Sequence, residues 1–311
     1  MRYSLVSRFK GTLLGGVLGE SLVINDGNKY SESCSQFIKS IIPGAESLIK
    51  LGKLDLDEWL GLYQKEFNPS PENSGNQINI IFATIPVALF FHENPVKLRQ
   101  NLLRVLKIGN DDPVIRDSTL TIGYAIAQSL TEKLRSQTLI PQIISFIGET
   151  ETLLPQKLLI VDQLLEERAG IERLKAQLSK EEKLSYAVAV AFYCFLSTLE
   201  DFRLSVWRSL KLESADSSTI TAITGALSGS YNSTVGIPAN WQMSLLSTDS
   251  ALDEERNLQQ MLELADALGA VWSGVYNLDS HPHEFSKSGS LMSNKSVPIS
   301  VYAAPRVIRG E

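Results

Sequence analysis

Asp216, Ser218 and Thr219 stand at the head of a small-residue segment running to Tyr231, so one carboxylate and two hydroxyls fall within a turn of an expected helix start. Oxygens so placed cap a helix. They also suit an oxygen-ligand corner for a hard cation, or the border of an anion site on free helix amides. The histidines offer less. His281 and His283 sit beside Glu284 in a Pro-containing tail, where solvation is the ordinary state. His92 closes an expected helix, where its ring suits the terminal carbonyls. Cys34 and Cys194 lack any Cys-x-x-Cys spacing, which removes structural zinc and thioredoxin-type redox chemistry. There is no Gly-x-Ser-x-Gly elbow and no Walker loop, and Gly15, Gly16 and Gly19 have the wrong spacing for a dinucleotide fingerprint. Gly11, Gly15 and Gly19 instead recur every fourth residue on one helix face, as do Gly225 and Gly229. A missing side chain there admits a neighbouring helix or a ligand-facing floor, and helix packing is the commoner use.

The elements that must position these residues read as helices throughout. Leu258, Met261, Leu262, Ala265, Leu268 and Trp272 form one apolar stripe behind a possible cap at Ser250. Leu153 to Leu178 reads as a surface helix that Gly170 can interrupt. Ser179 with Glu182, and Asp55 with Glu58, have the spacing of capping boxes. Further helical stretches run from Leu5 to Leu18, Ile80 to Phe91, Lys97 to Leu106, Ser118 to Leu134 and Thr219 to Tyr231. Breakers cluster from Asn25 to Lys29, Asn68 to Gly75, Gly109 to Pro113 and Ser233 to Pro238. No sustained two-residue alternation marks a strand, so the expected fold class is all-α, with a single domain over 1–279 and a polar tail over 280–311.

Composition narrows the function classes. The formal net charge is -6, which argues against nucleic acid as a partner. Tyr186 to Leu199 is the most apolar run, yet it is shorter than the roughly 20 residues that span a bilayer. It reads as a core helix, and no membrane role is expected. Arg2, Arg8 and Lys10 precede a short apolar stretch, but Gly15 and Gly16 break it and Glu20 ends it without a cleavage site. A cytoplasmic location follows as the simplest expectation, and the sequons at Asn232 and Asn294 then carry no weight.

The order of several motifs resembles the ADP-ribosylglycohydrolase family. Thr221-Ala222-Ile223-Thr224-Gly225-Ala226-Leu227 is similar to that family's late helix Ala-Ala-Ile-Ala-Gly-Ala-Leu, and Ile237-Pro238-Ala239-Asn240-Trp241 matches its Ile-Pro-x-x-Trp loop. Gly15 to Ser21 resembles the Gly-x-x-x-Gly-Asp-Ala pattern of its first helix, with Glu20 in the Asp position. The likeness runs from about residue 5 to 275. It implies a compact multi-helix orthogonal bundle and, in the family, removal of ADP-ribose from modified side chains or cleavage of related glycosidic bonds with a pair of magnesium ions.

The same resemblance points to altered ligand positions. The late Gly-Asp-x-Asp-Thr motif falls on Ala215, Asp216, Ser218 and Thr219, so its second Asp is lost. The early Thr-Asp-Asp-Thr motif falls near Ser35-Gln36-Phe37-Ile38, which has no Asp pair. Asn110 stands where the family's Thr-His-x-Asp-Pro has His, followed by Asp111, Asp112 and Pro113. Magnesium surrenders water reluctantly to neutral ligands, so Asp216 and Thr219 amount at most to a weak single site, and otherwise no cofactor is expected. The expectation is therefore a family fold without the dinuclear hydrolase activity, a pseudoenzyme acting as a binding or regulatory module. Ser218, Thr219, Asn110 and Asp112 would contact an ADP-ribose-like molecule. Two alternatives stay open: a residual hydrolase with Glu20 and Asp216 as general acid and base, and a scaffold whose partner is a protein.

Overall fold

The computed structural model describes residues 3–26, 36–66, 76–106, 112–212, 216–244 and 252–275. Among them the regular structure is helical: α1 (Leu5–Asp26), α2 (Gln36–Leu51), α3 (Leu56–Glu66), α4 (Asn76–Ala83), α5 (Ile85–Phe90), α6 (Pro95–Leu106), α7 (Pro113–Leu130), α8 (Ser136–Ile147), α9 (Leu154–Glu166), α10 (Ile171–Gln177), α11 (Lys183–Ser197), α12 (Phe202–Leu210), α13 (Ser217–Asn232), a 3-10 turn (Thr234–Gly236), α14 (Ala239–Ser244) and α15 (Leu252–Ser273). The all-α expectation holds. The proposed tail over 280–311, including His281, His283 and the Asn294 sequon, lies outside the described residues, as do Asn110, Cys34 and the Ser250 cap.

The most apolar run becomes the middle of the molecule. Every residue of α11 from Ser185 to Leu196 is buried, which is what a helix apolar on all sides requires. It packs against α9, α12 and α13, and one continuous set of buried apolar side chains joins α1 to α15. No described helix is long and apolar enough to cross a membrane.

Local sequence sets many boundaries. Asp112 precedes Pro113, and its Oδ1 accepts from the Val114 amide at 2.8 Å, so α7 begins five residues before the expected Ser118. Asp201 caps α12 through the Leu204 amide at 2.9 Å, and Asn94 caps α6 through the amides of Val96 and Lys97, each at 3.0 Å. Asp55 accepts from the Glu58 amide at 3.2 Å as a capping box demands, while the Glu58 carboxylate pairs with Lys50 at 2.6 Å. The Ser179 and Glu182 pair forms no such box. Glu182 itself stands at the N-cap of α11, in the left-handed region at φ 48°, and its carboxylate accepts from the Leu153 amide at 3.0 Å and the Ser185 hydroxyl at 2.8 Å. Gly170 separates α9 from α10 as the sequence suggests. The expected helix from Ile80 to Phe91 is two helices parted at Thr84, ahead of Pro86. Ser136–Ile147, outside the helical stretches expected from the sequence, is α8, whose buried Leu139, Ile140, Ile143 and Ile147 keep helical spacing around Pro141.

The glycine stripes meet one another, and this contact organises the fold. A β-carbon at Gly15 would lie 2.1 Å from the Gly225 carbonyl oxygen; at Gly11, 2.4 Å from that of Gly229; at Gly19, 2.1 Å from that of Thr221. Rising numbers in α1 meet falling numbers in α13, so the two helices run antiparallel in backbone-to-backbone contact. Only glycine permits that approach. Helix packing, rather than a ligand floor, is therefore what these glycines do. Near the N-terminal end of α1 the buried Arg8 ties the pair to α7. Its Nη1 donates to the Ser129 carbonyl at 2.6 Å, and its Nη2 pairs with Glu132 at 2.5 Å. The guanidinium thereby adds its charge to the carbonyl end of α7, where the Ser129 oxygen also accepts from the Glu132 amide.

Candidate functional site

The α1–α13 contact brings the two aligned carboxylates to the same end of the helix pair. Glu20 follows Gly19, which meets the Thr221 carbonyl, and Asp216 heads the same helix as Thr221. Their surroundings differ. Glu20 is 7% exposed, and its Oε2 accepts from the Phe37 amide at 3.2 Å, in the first turn of α2. A carboxylate there complements an unpaired amide and the positive end of the helix.

Asp216 makes no side-chain cap to α13, contrary to the simplest reading of its position. Its carboxylate and the hydroxyls of Ser218 and Thr219 have no hydrogen-bond partner among the described residues, and all three residues are half-buried. Tyr186, at the start of α11, lies close by. Burial raises the Tyr186 phenol pKa, and the charge of Asp216 raises it further. A small group of oxygens is thus left open at the head of α13, beside a neutral phenol that can donate.

The start of α2 is where the family likeness places an acidic motif. Phe37 is fully buried there, seated on Gly16, where a β-carbon would come within 2.0 Å of its ring, and packed on Phe82 at 4.8 Å between centroids. Ile38 is buried as well. Among the described residues no three His, Cys, Asp or Glu side chains cluster as metal ligands would. Asp112 sits at the head of α7 as its cap.

The remaining sequence features have structural explanations. Trp241 of the Ile-Pro-x-x-Trp loop packs edge-on against Phe202 at 6.2 Å, and Phe202 in turn rests over Gly15. Gln242 Nε2 donates to the carbonyls of Thr234 and Ile237 and closes this loop on itself. His92 is buried between Phe9 and Trp272, with Nδ1 2.7 Å from the Leu89 carbonyl. Burial pushes its pKa down to about 4, against a smaller upward pull from that carbonyl. Burial pushes the Cys194 thiol up to about 12, which makes it a packing group rather than a nucleophile.

One buried carboxylate escaped the sequence reading. Asp117 in α7 is fully buried, with Arg116 Nε at 2.8 Å from Oδ1 and the hydroxyls of Thr150 and Thr152 donating to Oδ2 at 2.5 Å and 2.7 Å. It clamps the α8–α9 connection to α7. Both threonines are distant in sequence, so no local spacing announces it.

An all-helical body built on a glycine-lined helix pair, with an oxygen cluster at one end of that pair, defines the class of protein. The ADP-ribosylglycohydrolase family model matches residues 26–278, and the chain belongs to that family. A solved structure described as an ADP-ribosylglycohydrolase-related protein complex is similar over 86% of this chain and 99% of its own, with a TM-score of 0.63 at 16% sequence identity. No curated protein sequence matches. Most of α1 precedes the matched residues, yet it is the helix that meets α13 backbone to backbone.

Proposed function

We propose that this protein keeps the ADP-ribosylglycohydrolase fold without the family's dinuclear-magnesium hydrolase activity, and serves as a binding or regulatory module for an ADP-ribose-like ligand. One observation carries the reading: at the head of α2, where the likeness would put metal-binding Asp residues, Phe37 and Ile38 are buried in hydrocarbon and the nearby Glu20 accepts from the Phe37 amide. A pair of magnesium ions wants several anionic oxygens. Among the described residues at this end, Asp216 is a carboxylate without a hydrogen-bond partner, and this donor set does not fit such a pair. The oxygens of Asp216, Ser218 and Thr219 suit the ribose hydroxyls of such a ligand, held by hydrogen bonds.

The test is release of ADP-ribose from ADP-ribosylated protein, with and without magnesium, alongside calorimetric titration with free ADP-ribose. The expected result is no release above buffer, with binding that magnesium does not alter. Magnesium-dependent turnover abolished by Asp216→Ala would overturn the proposal. That outcome would favour a residual hydrolase instead, a reading supported by the placement of Glu20 and Asp216 at one end of the α1–α13 pair. Absence of any heat with ADP-ribose would favour a protein-interaction scaffold.

A further inference from the structure

A cavity of about 710 Å³ opens between α9, α11 and α12. Its size is that of a small-molecule site. Five charged residues line it, four of them in two pairs, with Arg168 as the fifth. Asp162 and Glu166, one turn apart on α9, contribute carboxylates; Arg208 and Lys211, about one turn apart at the end of α12, contribute cations. None of these four is ion-paired among the described residues. Arg208 is half-buried, and its side chain makes one hydrogen bond, from Nη1 to the Ser197 hydroxyl at 2.6 Å. Lys211 lies against the Trp207 ring at 5.9 Å. The Asp162 carboxyl pKa is raised by burial and then by Glu166. Apolar side chains, among them Leu165 and Leu196, share the lining, and α11, which carries Leu196, packs against both α9 and α12.

Arg168 adds to the same picture. It stands in the left-handed region at φ 50°, where glycine is favoured. The other described non-glycine residues in that region all use their side chains: Glu132 pairs with Arg8, Glu182 accepts from Leu153 and Ser185, and Ser233 accepts from the Val235 amide. The Arg168 side chain has no protein partner among the described residues and lines the cavity.

We propose that this cavity binds a small dipolar molecule whose ammonium and carboxylate are separated by an apolar spacer, with Asp162 and Glu166 holding the ammonium and Arg208 and Lys211 the carboxylate. The pairing is electrostatic and directional. Half-buried Asp162 and Arg208, and the exposed Glu166 and Lys211 beside them, each gain an ionic partner that the folded chain does not supply, and the spacer lies along the apolar lining. The site is separate from the oxygen cluster at α13 and does not depend on the function proposed there.

The test uses 6-aminohexanoate as probe, with hexanoate and hexylamine as singly charged analogues, in calorimetric titrations of the full chain at low salt. The zwitterion is expected to bind about tenfold or more tightly than either analogue. That preference is lost in the double variant Arg208→Gln with Lys211→Gln, and independently in Asp162→Asn with Glu166→Gln. Arg173→Gln, which breaks a surface pair with Glu167, leaves it unchanged. Equal affinity for the three probes, no saturable binding of 6-aminohexanoate, or a preference that survives in both double variants overturns the proposal. All substituted side chains are exposed or half-buried, and circular dichroism confirms that each variant is folded.

Discussion

Gly225→Ala tests the central packing claim. The added β-carbon would stand 1.9 Å from the Gly15 carbonyl oxygen and 2.7 Å from its carbon, both of them backbone. Reaching even 3.0 Å from that oxygen takes a retreat of 3.0 − 1.9 = 1.1 Å. No side chain can swing aside to provide it, so α1 must move as a body. It is also pinned at Gly11 against Gly229 and at Gly19 against Thr221. A gap of about 0.5–1 Å already forfeits a quarter to a half of a van der Waals well, and this loss spreads over three turns of contact. Alanine returns about 1 kcal/mol of helix propensity, leaving a net destabilisation of about 3 kcal/mol. In a chain of this length that lowers Tm by about 5 °C. Gly61→Ala is the matched control, since a β-carbon there meets nothing within 4 Å in the middle of α3. It should stabilise by about 1 kcal/mol and raise Tm by about 1–2 °C. Thermal melts of both variants by circular dichroism decide the matter. A Gly225→Ala melt at or above wild type, or equal losses in the two variants, would refute backbone contact as the cause.

Two further outcomes follow from buried ionisable groups. The His92 pKa is near 4 in the folded chain against 6.5 for the free ring, so its contribution is intact above pH 6.5 and lost as pH falls toward 4. At pH 5 the cost is about 2 kcal/mol, and the Tm of wild type relative to His92→Gln should drop by about 3 °C between pH 7 and pH 5. Parallel pH profiles for the two proteins would show that the ring is not the cause. Asp117→Asn weakens the bonds from Arg116, Thr150 and Thr152 at a fully buried site, and should cost about 2–4 kcal/mol in urea denaturation. A change below about 0.5 kcal/mol would mean that the clamp contributes nothing measurable.

Helices with a wet side or a clear cap were legible from residue spacing, because burial on one face leaves a periodic trace. The stripe through Met261, Ala265 and Leu268 is of this kind, while α11 was legible from its unbroken apolar run instead. The four-residue recurrence of Gly11, Gly15 and Gly19 announced a close approach, but the partner 210 residues away, Gly225 opposite Gly15, could not be read from either stretch alone. Capping was half legible: Asp55 behaves as its spacing suggests, whereas Glu182 adopts the cap position itself and leaves Ser179 out. Pro141 obscured α8, since a proline in the first turns of a helix resembles a breaker until its position is known. At the candidate site, residue types located Asp216, Ser218 and Thr219. They did not show that Glu20 meets the α2 amide, or that charges from α9 and α12 face one cavity, because both are tertiary encounters.

The union of α1 with α13 also fixes an order of events during synthesis. Helix α1 is made before α13, so its glycine face has no partner until residues 217–232 have been translated. At about 5–20 residues per second, the 210 residues between Gly15 and Gly225 impose a delay of about 10–40 s. Throughout that interval Phe9, Leu13 and Leu18, all fully buried in the finished protein, lack their final cover. For that interval α1 offers a nascent-chain chaperone an apolar face to hold. A product truncated before α13 would display that face permanently.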